Sequence, residues 1–120
     1  MLDVFNCISR LPDLRFIAGR IGYTAGTPAI TAYSGDSLSD LAQITITDTG
    51  TGDCTFTITN FRGRNGTAVA YSNPTTLGYT CNPQPPTYAA GTDTLTVEFL
   101  IGNTSAAAAD NDFNFLILGL

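Results

Sequence analysis

The sequence predicts an all-β fold: a single antiparallel β-sandwich or jelly-roll-like domain with a short N-terminal arm or helix. Three observations carry this reading. Short stretches of alternating apolar and polar residues recur about every 8–15 residues, each bounded by Gly, Asn, Asp or Pro. Thr, a strand-favouring residue, occurs 19 times in 120 residues, while the helix formers Lys and Glu number zero and one. Helical spacing of apolar residues is confined to the first eleven positions. A chain of 120 residues holds one domain, and we divide it into an arm, 1–15, and a sandwich, 16–120.

Taken in order, residues 16–23 (FIAGRIGY) and 28–34 (PAITAYS) are the first two strand candidates. Residues 41–47 (LAQITIT) and 54–61 (CTFTITNF) flank the turn cluster DTGTGD and form the most secure hairpin in the chain. In the second of these, Cys54, Phe56 and Ile58 share one face and Thr55, Thr57 and Thr59 the other. Residues 67–72 (TAVAYS) make a short strand, and a brief one is expected at 77–81 within the proline-rich stretch 73–91. Residues 95–101 (LTVEFLI) alternate cleanly, and 113–118 (FNFLIL) is the last strand. The expected core is Ile44, Ile46, Phe56, Ile58, Val97, Phe99, Phe113, Phe115 and Ile117. In residues 2–11 either Leu2, Phe5 and Ile8 or Val4, Ile8 and Leu11 fit helical spacing before Pro12; an extended arm fits equally well.

Composition excludes several function classes. A net charge of −5 with five Arg and no Lys does not suit a nucleic-acid binder. No stretch approaches the ~20 apolar residues of a membrane-spanning helix. The N-terminus, with Asp3 early and Arg10 late, does not read as a signal peptide, and synthesis and folding in a reducing cytoplasm are expected. Without His or Lys, the Ser–His, Cys–His and Ser–Lys arrangements of nucleophilic catalysis are all closed, so no enzyme is expected and no catalytic residue is assigned. Three cysteines, Cys7, Cys54 and Cys81, lack CxxC spacing and are expected as free, buried thiols; a Cys54–Cys81 bridge would require an oxidising compartment. Asp110, Asn111 and Asp112 offer hard oxygens, but without calcium-loop spacing they read as turn caps, and no metal or cofactor is expected. Glu98, mid-strand on a polar face, is expected to pair with an Arg or to sit in water.

The last strand is apolar on both faces. Phe113, Phe115 and Ile117 face one way and Leu116 and Leu118 the other, which requires a cover on the second side. Leu2, Val4, Phe5 and Ile8 add further apolar surface, so these four with Leu116 and Leu118 are the expected interface residues.

Three stretches resemble small tailed-bacteriophage virion proteins of sandwich or jelly-roll type, the capsid decoration (cement) proteins and fibre heads. They are residues 50–58 (GTGDCTFTI), the strand 95–101 with its small-residue loop, and the closing residues 110–119 (DNDFNFLILG). The resemblance covers residues 40–120. It implies a non-enzymatic virion structural protein, made in the host cytoplasm and seated on the capsid surface as a homotrimer. The major capsid protein or another virion protein would be its partner, with the N-terminal segment docking on the particle. Alternatives are a carbohydrate- or receptor-binding module of a phage fibre or tail, using Tyr23, Tyr33, Tyr71, Tyr79 and Tyr88, and a secreted adhesin-type subunit.

Overall fold

The computed structural model describes residues 15–35, 44–61, 66–73 and 78–119. They form nine strands: β1 (Arg15–Thr24), β2 (Thr27–Gly35), β3 (Ile44–Gly50), β4 (Asp53–Thr59), β5 (Gly66–Ser72), β6 (Thr80–Pro83), β7 (Thr87–Ala89), β8 (Thr94–Gly102) and β9 (Phe113–Gly119). All pairings are antiparallel. The first sheet has the order β2-β1-β9-β5 and the second β3-β4-β8-β6, with β7 also on β8. The all-β sandwich expected from the alternation is the fold observed. The expected arm or helix at 1–14 lies outside the described residues.

Local chemistry explains the boundaries. β1 and β2 join through Ala25 and Gly26, both at positive φ (51° and 83°), the two-residue turn whose twist suits a hairpin. β4 ends at Thr59, two residues earlier than the alternation suggested, because Asn60 takes φ 55° and turns Phe61 inward, where it is fully buried. The strand expected at 77–81 is displaced to Thr80–Pro83, and the sequence reading missed β7 altogether. Prolines cause both. Pro83, Pro85 and Pro86 supply no N–H, so the segment runs along β8 as an interrupted edge in two pieces. The Gln84 N–H donates to the Glu98 carbonyl (2.8 Å) between them.

The core lies between the inner faces. The first sheet contributes Ile17, Ile21, Phe113, Phe115 and Ile117; the second contributes Ile44, Cys54, Phe56, Ile58, Cys81, Leu95, Val97, Phe99 and Ile101. Of the nine expected core residues eight are buried, and Ile46 packs half-buried against the cluster. Four rings bridge the sheets. Phe56 lies 4.9 Å from Phe99 in its own sheet and 4.8 Å, edge-on, from Phe115 in the other, and Phe99 lies 5.1 Å from Phe113. Phe61 closes one end by lying over Gly119, where any Cβ would run into its ring. Because the Phe99 ring is fully buried, Phe99→Ala should lower the unfolding free energy by about 3–5 kcal/mol. Urea unfolding of the variant measures this, and a loss below ~1 kcal/mol would contradict the packing described.

Candidate functional site

A sandwich has two outer faces, and register determines what each presents. On the second sheet the outward residues are mostly threonines. Thr45 pairs with Thr57, Thr57 with Thr96 and Thr96 with Thr87, one rung across four strands. Thr47 pairs with Thr55 and Thr59 with Thr94 in the flanking rungs. Glu98, opposite Thr55, has the Asp53 carboxylate as its neighbour among the described residues. That negative charge, more than burial, pushes the Glu98 carboxyl above its ordinary value.

The outer face of the first sheet is apolar at its centre. Ala18 pairs with Leu116 and Leu116 with Val69, giving one rung across β1, β9 and β5. The next rung, Arg20–Asn114–Tyr71, is polar at its middle, and Ala32 of β2 pairs with Arg20. These residues line a shallow groove of about 610 Å³. Val69 is 55% exposed and Tyr71 64%, the two most exposed large hydrophobic side chains among the described residues. At the polar end the Arg20 Nε–H donates to Asn114 Oδ1 (3.4 Å), and the Asn114 amide donates to Asn73 Oδ1.

Of the expected interface residues, Leu116 lies in this groove, and Leu118 occupies the rung beyond it, paired with Phe16 and Thr67. Both leucines are half-buried. Leu2, Val4, Phe5 and Ile8 lie outside the described residues. Sequence reading missed Val69 and named Tyr71 only among the tyrosines of the alternative binding module, not as a neighbour of Leu116. In TAVAYS the inward residues are the small Ala68 and Ala70 and the outward ones the large Val69 and Tyr71, an inversion of size that hydrophobic alternation cannot orient. The tyrosines do not form one platform: Tyr71 lines the groove, Tyr33 lines it while also packing against the core, and Tyr23 and Tyr88 pack against the core.

The loop at the other end of β9 is built by carboxylates acting as caps. Asp110 Oδ1 accepts from the Gly52 N–H (2.7 Å) and Asp112 Oδ1 from the Tyr23 N–H (2.9 Å). Gly52 sits at φ 72° so close to Ile101 and Ala109 that a Cβ would meet the Ala109 nitrogen at 2.7 Å. Cys54 and Cys81 are free thiols, and β8 runs between their strands. Burial pushes each thiol up to about 12, which disfavours the thiolate. Burial likewise raises the Tyr23 hydroxyl, which faces Cys54.

No family model, curated protein or solved structure matches the chain.

The Glu98–Asp53 pair yields a pH prediction. A carboxyl whose pKa is raised by folding contributes stability that is full below its unfolded pKa, about 4.3, and lost as pH rises through the folded value. Glu98→Gln should therefore melt at a slightly higher temperature than the parent at pH 7, and the difference should vanish near pH 3. Melting curves at the two pH values measure it; an unchanged or lower Tm at pH 7 would refute the repulsion.

Proposed function

We propose that the chain is a non-enzymatic virion structural protein, a capsid decoration (cement) protein that assembles as a homotrimer and binds the major capsid protein. The observation that carries this reading is the apolar outer face of the first sheet. Val69, Leu116 and Ala18 form a rung of aliphatic side chains on a chain with a net charge of only −5, a combination that favours association. A face of this kind suits contact with further copies of the same chain, and closed rings are the usual outcome of such contact. The trimer and the particle come from the resemblance to decoration proteins, in which the segment 1–15 docks on the capsid.

Sedimentation equilibrium of the purified chain at micromolar concentration and immunogold labelling of intact particles test the reading together. A trimer that labels the capsid surface is expected, and Leu116→Asp should give a folded monomer. A monodisperse monomer at micromolar concentration that never labels a particle would overturn the function.

A further inference from the structure

The outer face of the first sheet changes chemistry along β9. Beyond the aliphatic rung of Ala18, Leu116 and Val69 the outward positions are Arg20 on β1, Asn114 and Asp112 around the start of β9, and Tyr71 and Asn73 at the end of β5. Register brings them together. Arg20 pairs with Asn114 and Asn114 with Tyr71, so Arg20 and Tyr71 stand two strand spacings apart, about 10 Å. One residue beyond the strand ends, the Asn73 N–H donates to the Asp112 carbonyl (2.9 Å) and carries the β5–β9 ladder onward. A polar cavity of about 480 Å³ opens here, lined by Asn73, Asn111 and Asp112, and it shares Arg20 with the apolar groove. Both spaces have the size of small-ligand sites.

The polar side chains are held in place yet keep bonding capacity. Asp112 Oδ1 accepts from the Tyr23 N–H (2.9 Å), the Arg20 Nε–H donates to Asn114 Oδ1 (3.4 Å), and the Asn114 amide donates to Asn73 Oδ1. Among the described residues the Arg20 Nη groups, Asp112 Oδ2, the Asn73 amide N–H groups and the Tyr71 hydroxyl have no partner. The Asn111 Nδ2 is buried and likewise has none among them. Donors and acceptors thus alternate over a few ångströms.

This mixture selects a ligand class. An anion would meet Asp110 and Asp112, and a cation would meet Arg20. An extended peptide bonds through a sheet edge, whereas β9 is already paired on both sides. A molecule whose hydroxyls each donate and accept matches a row of guanidinium, amide and carboxylate groups. A saccharide adds an apolar C–H face, and Tyr71, 64% exposed, offers a ring beside that row. We propose that the polar end of this face binds a neutral saccharide. One sugar ring lies against Tyr71, and its hydroxyls bond to Arg20, Asn73 and Asp112. The inference stands apart from the oligomer reading: an oligomer that covers the aliphatic rung leaves the polar end at its rim.

The full chain tests this on a printed array of neutral and sialylated oligosaccharides, with calorimetric titration of free glucose, galactose, mannose and N-acetylglucosamine. Binding to neutral members of the array is expected. Binding to the free sugars as well assigns recognition to a single ring, and binding to the array alone assigns it to a glycan chain. Tyr71→Ala and Arg20→Ala should each weaken the interaction about tenfold, with an unchanged melting temperature because both side chains are exposed. Tyr71→Phe keeps the ring and should keep most of the binding, and Thr47→Ala, on the outer face of the second sheet, should keep all of it. A chain that binds neither the array nor the free sugars overturns the proposal, as does binding that survives Tyr71→Ala. Binding restricted to sialylated members and lost with added salt would also overturn it, by making the ligand an anion held by Arg20. Sedimentation equilibrium of the same variants reports the oligomer separately: Tyr71→Ala dissociating it with no sugar bound would give the polar end to a second copy instead.

Discussion

The four-ring contact between Phe56, Phe99, Phe113 and Phe115 holds the two sheets in register with each other. Each sheet by itself is a set of antiparallel pairs whose backbone hydrogen bonds fix strand order but not which face turns inward. The rings decide that, because burying them requires Phe56 and Phe99 of the second sheet to face Phe113 and Phe115 of the first. With β9 oriented in this way, Leu116 and Leu118 must point outward. The apolar outer face is thus a consequence of the core rather than an independent feature. A β9 that turned Leu116 inward would expose two phenylalanines instead.

How legible the fold was depended on the contrast between neighbouring side chains. In β4 and β8, Phe, Ile, Leu and Val alternate with Thr, so strand, face and core membership could all be read, and Cys54, Phe56 and Ile58 are buried as the pattern requires. In β1 the residues between Ile17 and Ile21 are Ala, Gly and Arg, too small or too mixed to mark a face, and neither isoleucine was recognised as core. Phe61 was missed because it is buried from outside a strand, through the positive φ of Asn60, which no periodicity records. β7 was missed because three prolines broke the segment that carries it.

The candidate site was half legible. Apolar residues on both sides of residues 113–118 announced that one face of β9 needed a cover, and the groove is there. What could not be read was who shares that face. The partners Ala18, Val69 and Tyr71 come from strands far from Leu116 along the chain, and only the antiparallel registers of β1 and β5 on β9 bring them together. Glu98 shows the same limit for charge. Its polar orientation followed from alternation, but its neighbour across the sheet, Asp53, depended on the register of β4 with β8.

The two outer faces differ in a way that makes only one of them suited to burial. On the second sheet the threonine rungs place a hydroxyl beside each exposed methyl, and those hydroxyls would lose water if a partner without matching acceptors covered them. Threonine keeps high strand propensity there while holding the surface wet, so a chain with only 12% charged residues can leave that sheet facing solvent. On the first sheet the side chains of Ala18, Leu116 and Val69 carry no polar atoms, so covering those side chains adds no polar desolvation cost to offset the gain. Arg20 and Asn114 lie at one end of that strip and pair with each other, a polar margin that limits how far a cover can extend without meeting charge. Of the three most exposed large hydrophobic side chains among the described residues, Val69 and Tyr71 lie on the first sheet and only Leu100 on the second, so desolvation favours the first sheet as the side that a partner covers.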